Sequence, residues 1–189
     1  MSIDPIPAKA PYASALSPEF ALLGLLSENP AHGYELHRRL TTHLGQIWHV
    51  SLSQTYNILT RLESNGDIKG TVQKQGNLPS RRRYRLTTAG RRRFEWWLRA
   101  PTGASVRAIR VEFTTRLFFA SSHDPALAKA LIDAQTAETQ KGVVRLKATL
   151  SQLPPDQTFN RQGLDLRIRQ LASILEWLDG FRTSLQLNH

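Results

Sequence analysis

The 189-residue chain contains no cysteine. That absence removes disulfides, thiol nucleophiles and cysteine-held metals together, and makes the cytoplasm the economical expectation for its location. Histidine does not fill the gap: the six histidines, at positions 32, 37, 43, 49, 123 and 189, include no helical i, i+4 pair and no HExxH string. No metal site is expected. Long apolar runs are also missing. The stretch Phe20–Leu26 reaches only seven residues and contains Gly24, whereas a membrane-spanning helix needs roughly 20, so no membrane partner is expected. Residues 1–15, with Pro5, Pro7 and Pro11 and a single lysine, lack the apolar centre of a secretory signal and read as a flexible tail. P-loop, GxGxxG and GxSxG strings are absent as well. The scattered carboxylates Glu112, Asp124 and Asp133 read as caps and surface charge, so neither an enzyme nor a cofactor is expected.

Acidic residues are scarce relative to basic ones, 15 against 25, which leaves a net charge of +10. A hydrophobic fraction of 40% with 21% charged residues is the composition of a folding chain, not a disordered one. A surplus of cations favours a polyanionic partner if it is concentrated on one face. Residues 16–101 carry 13 basic and 6 acidic side chains, and residues 102–189 carry 11 and 8. Within the first segment the surplus gathers in Arg81-Arg82-Arg83 with Arg85, and in Arg91-Arg92-Arg93.

The order of elements gives those cations a setting. Ser17-Pro18-Glu19 starts a first helix through Phe20, Leu22, Leu23, Leu25 and Leu26, and Asn29-Pro30 ends it near Glu28. A second helix spans about Gly33 to Leu44, with Tyr34, Leu36 or His37, Leu40 and Leu44 at helical spacing. Gly45 is placed to stop it. Ser51 is a cap for a third helix from Leu52 to Asn65, closed by Gly66. Its expected apolar stripe is Leu52, Tyr56, Leu59 and Leu62, leaving Ser53, Gln54, Asn57 and Arg61 on a polar face. Amide side chains can pair with adenine edges and arginine with guanine, so this face suits a major groove.

Ile68, Gly70 and Val72 then alternate with Lys69, Thr71 and Gln73, and Gln75–Pro79 supplies a turn before a returning strand from Arg81 to Leu86. Period-two geometry puts Arg81, Arg83 and Arg85 on one face, and Arg82, expected near the tip, on the other with Tyr84 and Leu86. Thr87 or Thr88 caps a fourth helix through Leu98. Helix, helix, helix, basic hairpin, helix is the order of a winged helix-turn-helix, in which the third helix reads bases and the wing holds the backbone. Ser51 and the wing arginines are the expected phosphate contacts.

These residues resemble the PadR-type transcriptional regulators. The matching pieces are Ala21-Leu22-Leu23-Gly24-Leu25-Leu26, His32-Gly33-Tyr34-Glu35-Leu36, Thr55-Tyr56 with Leu59, Arg61-Leu62-Glu63 and Gly66, and Arg83-Tyr84-Arg85-Leu86-Thr87 with Ala89-Gly90. The resemblance covers about residues 16–101 and implies a DNA-binding regulator, usually a homodimeric repressor, in many relatives released by small aromatic or multidrug-like molecules. The family often has proline after the recognition-helix tyrosine. Here Asn57 stands in that place, which suggests an added polar contact.

Residues 102–189 read as almost all helix: an apolar face at Ile109, Phe113, Leu117 and Phe118, an interruption at Ser121-Ser122-His123, and a long helix capped by Asp124-Pro125 that stops at Pro154-Pro155. A last helix covers about Arg161 to Leu187, with Leu164, Ile168, Leu171, Leu175, Leu178 and Leu185 near heptad spacing. Such faces need cover, and a second copy of the chain is the expected partner, with an antiparallel hairpin packed only on its own winged helix as the alternative. The fold class is therefore mainly α with a small β-hairpin wing: a tail (1–15), a winged helix-turn-helix domain (16–101) and a long-helix dimerisation domain (102–189). Trp96 and Trp97, adjacent on the fourth helix, are candidates for stacking on a planar aromatic effector, against the simpler role of a structural bridge. A protein-interaction adaptor using the long helices is the alternative to an operator-binding regulator, and the aligned cations of the wing argue against it.

Overall fold

A computed structural model describes residues 16–75 and 78–187. The chain divides into two compact units, Met1–Ala100 and Pro101–His189. The tail expected over 1–15 and the side chain of Leu185 lie outside the described residues.

In the first unit, α1 (Glu19–Glu28) is enclosed by its neighbours: every residue from Phe20 to Leu26 is buried. A helix apolar all round has no wet face, so it sits at the centre, packed against three helices and a strand. Each of its fully buried Leu and Phe side chains contributes roughly 1.5–3 kcal/mol relative to exposure. The helices around it are α2 (Gly33–Leu44), α3 (Leu52–Ser64) and α4 (Thr88–Arg99). On α2 the buried apolar residues are Leu36, Leu40 and Leu44, while Tyr34, expected to face inward, is exposed. Trp97 of α4 is 3% exposed and stacks on Phe20 with ring centres 4.7 Å apart and planes 4° from parallel.

The stripe expected on α3 is rotated. Its buried residues are Thr55, Ile58, Leu59 and Leu62, whereas Leu52 and Tyr56 are exposed. The buried threonine misleads a purely apolar pattern. Its hydroxyl donates to Ser51 O at 3.0 Å and lies 3.1 Å from His37 Nδ1, so the polar atom is satisfied inside. The end of α3 is a Schellman motif: the Gly66 amide donates to Glu63 O and the Asp67 amide to Leu62 O. Gly66 adopts φ +75°, the left-handed geometry that disfavours a side chain.

A three-stranded antiparallel sheet completes the unit in the order β1-β3-β2, with β1 (Ala31–His32), β2 (Ile68–Gln75) and β3 (Leu78–Leu86). The short β1, pairing Ala31 with Tyr84 and His32 with Arg83, carries no two-residue pattern that a sequence could reveal. β3 begins at Leu78, three residues before the expected start. Arg82 therefore pairs with Val72 in mid-strand and not near the tip, which is closed by the Gln75–Leu78 pair.

In the second unit, α5 (Val106–Ala108), a π-helical turn (Ile109–Phe113) and α6 (Thr114–His123) follow one another. The Thr114 amide donates five residues back to Ile109 O, and the widened turn brings Ile109, Val111 and Phe113 all inside. Ser121-Ser122-His123 does not interrupt this segment; the helix ends at Asp124 instead. Arg116 is buried, donates to Thr102 and Glu112, and its guanidinium is pushed down to about 10 by that burial.

The helix α7 (Pro125–Gln152) starts on the Asp124 carboxylate, which accepts the Leu127 amide at 3.0 Å. α8 (Thr158–Leu187) returns antiparallel to it: Arg161 donates to Leu150 O and Leu153 O near the loop, and Arg182 pairs with Asp133 at 3.0 Å near the far end. The stripe Leu164, Ile168, Leu171, Leu175 and Leu178, expected to meet a second copy, is half-buried to buried within this unit. Leu171 and Leu178 are its buried members.

Candidate nucleic-acid interface

At about 100° per residue, the buried set of α3 fixes what lies opposite. Ser53, Asn57, Thr60 and Ser64 point most directly away from the core, with Tyr56 on one flank and Gln54 and Arg61 on the other; all seven are exposed. Polar, short side chains at the crest with longer ones on the flanks make a ridge that a groove can accept.

The N-terminal end of this ridge is built by a capping box. Ser51 Oγ accepts the Gln54 amide at 3.2 Å, and Gln54 Oε1 accepts the Ser51 amide at 2.8 Å. Both side chains retain a donor, the serine O–H and the glutamine NH2, for an outside acceptor. Arg61 Nε donates to Glu19 Oε1 at 2.5 Å, so this expected base reader is also tied to the first turn of α1. Glu19 and Asp67 in turn receive Arg93, whose guanidinium lies 5.0 Å from the Phe20 ring centre. Arg93 is thus an internal strut, while Arg91 and Arg92 beside it are exposed.

The wing sorts its arginines in the same manner. Arg81 and Arg85 are exposed and make no side-chain hydrogen bond or ion pair among the described residues. Arg83 reaches back to Pro30 O, donating from Nη2 at 3.3 Å and Nε at 3.4 Å, and Arg82 pairs with Glu63 at 2.7 Å. Burial acts to raise the Glu63 carboxyl, but hydrogen bonds from Arg82 and the Gly70 amide outweigh it and hold the group below its ordinary range. Between wing and ridge lies a groove of about 670 Å³, lined by His32 from β1, Tyr34, Glu35 and Arg38 from the start of α2, Tyr56 from α3, and Arg81 and Arg82 from β3. Its floor depends on Gly33: a Cβ there would stand 2.5 Å from the Tyr56 ring. Tyr34, Arg38 and Tyr56 line this groove and Thr60 stands on the crest of α3, positions that the sequence pattern does not point to. The phase set by Thr55 and Ile58 was the signal that could have found the last two.

The two tryptophans separate. The Trp97 ring is occupied by Phe20, whereas Trp96 is half-buried. Among the described residues no group of three His, Asp or Glu side chains gathers as a metal site, and no helix is long and apolar enough to cross a membrane.

Residues 22–96 match the transcriptional regulator PadR-like family, and residues 109–186 match the virulence activator alpha C-terminal family. The chain is 28% identical over 185 residues to Rv1176c, a Mycobacterium tuberculosis protein named as a probable transcriptional regulator, covering 88% of this chain and 96% of that one. It is also 28% identical over 137 residues to the negative transcriptional regulator PadR of Bacillus subtilis, covering 71% and 74%. Crystal structures of Bacillus subtilis PadR are similar, one in complex with operator DNA (24% identity, 88% of this chain and 98% of that one, TM-score 0.42) and one with p-coumaric acid (22%, 89% and 98%, 0.39). The winged helix with its arginine-bearing hairpin and the two family matches, which together span most of the chain, lead to one conclusion: residues 22–96 form a PadR-like transcriptional-regulator domain and residues 109–186 a virulence-activator-type C-terminal domain.

Proposed function

We propose that the protein is a cytoplasmic homodimeric repressor that reads an operator with the crest of α3 and grips its backbone with the wing. The observation that carries this reading is the juxtaposition of an uncharged hydrogen-bonding ridge, Ser53 and Asn57 with Thr60, and exposed arginines, Arg81 and Arg85, on a neighbouring hairpin. Such a division suits base reading by one element and phosphate neutralisation by the other. Ser51, Gln54 and Arg61 add donors on one flank, and Arg83 joins Arg81 and Arg85 on the same face of the wing. Repression is favoured by the role named for the Bacillus subtilis relative.

Dimerisation is supported by what the helical hairpin leaves open. Phe159, Leu166, Ser173 and Gly180 recur every seven residues along the exposed flank of α8, two apolar side chains followed by two small residues. Phe159 is 92% and Leu166 57% exposed there, and the small residues beyond them leave room for a neighbouring helix to approach. A second copy is the occupant we assign to that flank, and two-fold symmetry would place recognition helices about 34 Å apart, or a multiple of it. The effector is proposed to be a planar aromatic molecule; of the two candidate indoles, Trp97 is buried and stacked on Phe20, and Trp96 keeps partial exposure.

Selection of duplexes from a random library by the full-length chain, followed by fluorescence-anisotropy titration, tests the reading. An enriched pseudo-palindrome bound more tightly than random duplex is expected; binding with no sequence preference, or none at all, overturns it. Fluorescence titration with hydroxycinnamic acids tests the effector, where a saturable tryptophan change coupled to loss of operator affinity is expected.

A further inference from the structure

Arg82 stands apart from the other arginines of the wing. It lies on the inward face of the hairpin, which it shares with Tyr84, Gly70 and Val72, while Arg81, Arg83 and Arg85 lie on the opposite face. That inward face runs off the core as the wing extends. Ile68 and Tyr84 are 2% and 5% exposed, but Val72, directly across from Arg82, is 64% exposed. Around that pair, none of the described side chains, residues 71–73 and 81–83, is buried, so no apolar packing among them fixes the wing's direction.

One carboxylate oxygen takes over. Glu63 Oε1, on the last turn of α3, accepts from Arg82 at 2.7 Å and from the Gly70 backbone amide at 2.8 Å. Both long strands of the wing are thereby tied to the recognition helix through a single atom. Gly70 makes the approach feasible: a Cβ there would collide with Arg82 Nε and stand 3.0 Å from Glu63 Oε1, so the guanidinium lies across bare backbone. The Tyr84 ring centre is 6.0 Å from the guanidinium carbon, a further attraction from below. Among the described residues, Arg82 is the one wing arginine with a carboxylate partner.

We propose that Glu63 and Arg82 form a latch setting the angle of the wing against the recognition helix, so that Arg82 is a positioning residue and not a phosphate contact. The proposal rests on the DNA-reading function above. An isolated exposed ion pair contributes little. This one has leverage, because the part of the wing from the mid-strand pair Val72–Arg82 outward, which carries Arg81, moves with it relative to the bases read by α3. Keeping Arg82 off the DNA leaves Arg81, Arg83 and Arg85 as the wing's cations for phosphate.

Electrostatics makes the test sharp in sign. Removing Glu63 deletes a negative charge next to a polyanion, so Coulomb attraction alone strengthens DNA binding. A broken latch weakens it. The full-length protein and its Glu63→Ala, Arg82→Ala and doubly substituted variants would be titrated against the selected duplex and a random duplex at several salt concentrations. Each single substitution is expected to weaken selected-duplex binding by about two- to fivefold, with the double variant no weaker than either single one. The salt dependence of Arg82→Ala should change by much less than the roughly one-counterion step that loss of a phosphate contact gives. Tighter binding by Glu63→Ala, losses that multiply in the double variant, or a full one-counterion step for Arg82→Ala would each overturn the latch. Amide hydrogen exchange of residues 68–73 and 81–86 in the free protein separates the two failures. If wild-type protein binds no duplex, the DNA-reading function fails, and the latch stands only if both single variants lose wing protection; unchanged protection overturns it.

Discussion

In the N-terminal unit the apolar run Phe20–Leu26 is enclosed on every side, whereas in the C-terminal unit α8 buries Leu171 and Leu178 and leaves Phe159 and Leu166 facing outward. The first unit closes its core with short elements and an aromatic stack, and what it exposes is mostly polar or cationic. The second is built around two long antiparallel helices, one flank of each covered and part of the other bare. A unit that completes its own core can devote its surface to a polyanion, while one that leaves an apolar flank has surface suited to another protein chain. The contrast is one of packing, and four substitutions or titrations can break or sharpen it.

The largest effect is expected for Trp97→Ala. Losing a buried indole stacked on Phe20 should cost the N-terminal unit about 3–5 kcal/mol, read as a lower chemical-denaturation midpoint. A cost below about 1 kcal/mol would contradict a closed core. Next, combined Phe159→Glu and Leu166→Glu should raise the dimer dissociation constant at least about tenfold in sedimentation-velocity experiments while helix content by circular dichroism stays unchanged. A fall in helix content at unchanged assembly would mean that the flank serves the fold of one chain.

Asn57→Ala follows in size. It should remove about 1–3 kcal/mol of discrimination at one base pair of each half-site, measured as a smaller ratio of operator to random-duplex affinity with little change in the random-duplex value. The smallest effect is a titration. Because the Glu63 carboxyl is held below its ordinary value of 4.5, its hydrogen-bonding contribution is fully present above that value and is lost as pH falls through the lower folded value. The Gly70 amide resonance should follow this loss, with a midpoint below 4.5. A midpoint above 4.5 would show that burial dominates and that the Arg82 contact is weak.

Much of this division was legible in the residues. Ser51, Gly66, Thr87 and Asp124-Pro125 mark helix ends because capping chemistry is local, and a local rule needs no tertiary context; Ser17 is the expected cap of α1, but Pro18 takes that position and makes no side-chain capping hydrogen bond. The phase of α3 was less legible. Thr55 goes inside because His37 and Ser51 O satisfy its hydroxyl, and Tyr56 comes out because Gly33 offers its ring a seat; both depend on residues far along the chain or across a turn. The same holds for cations. Arg81, Arg82, Arg83 and Arg85 look alike as a run, yet the carboxylate of Glu63, the carbonyl of Pro30 and open solvent give them different tasks. On α8 the leucine heptad was visible, but a heptad specifies a helical neighbour without saying whose helix it is. Its inward members are covered within the same hairpin, and the weaker Phe159–Leu166 repeat is the one left exposed.

The most direct test of the central claim, that uncharged side chains on α3 select the sequence while wing arginines hold the backbone, is the salt dependence of duplex affinity for wild type, Asn57→Ala and Arg85→Ala, measured side by side on operator and random duplex. Log affinity should fall linearly with log salt in all three. Arg85→Ala should weaken both duplexes alike and reduce the slope by about one, and Asn57→Ala should keep the wild-type slope while losing operator preference. Salt-independent binding, or the same response from both substitutions, would contradict the division of labour between helix and wing.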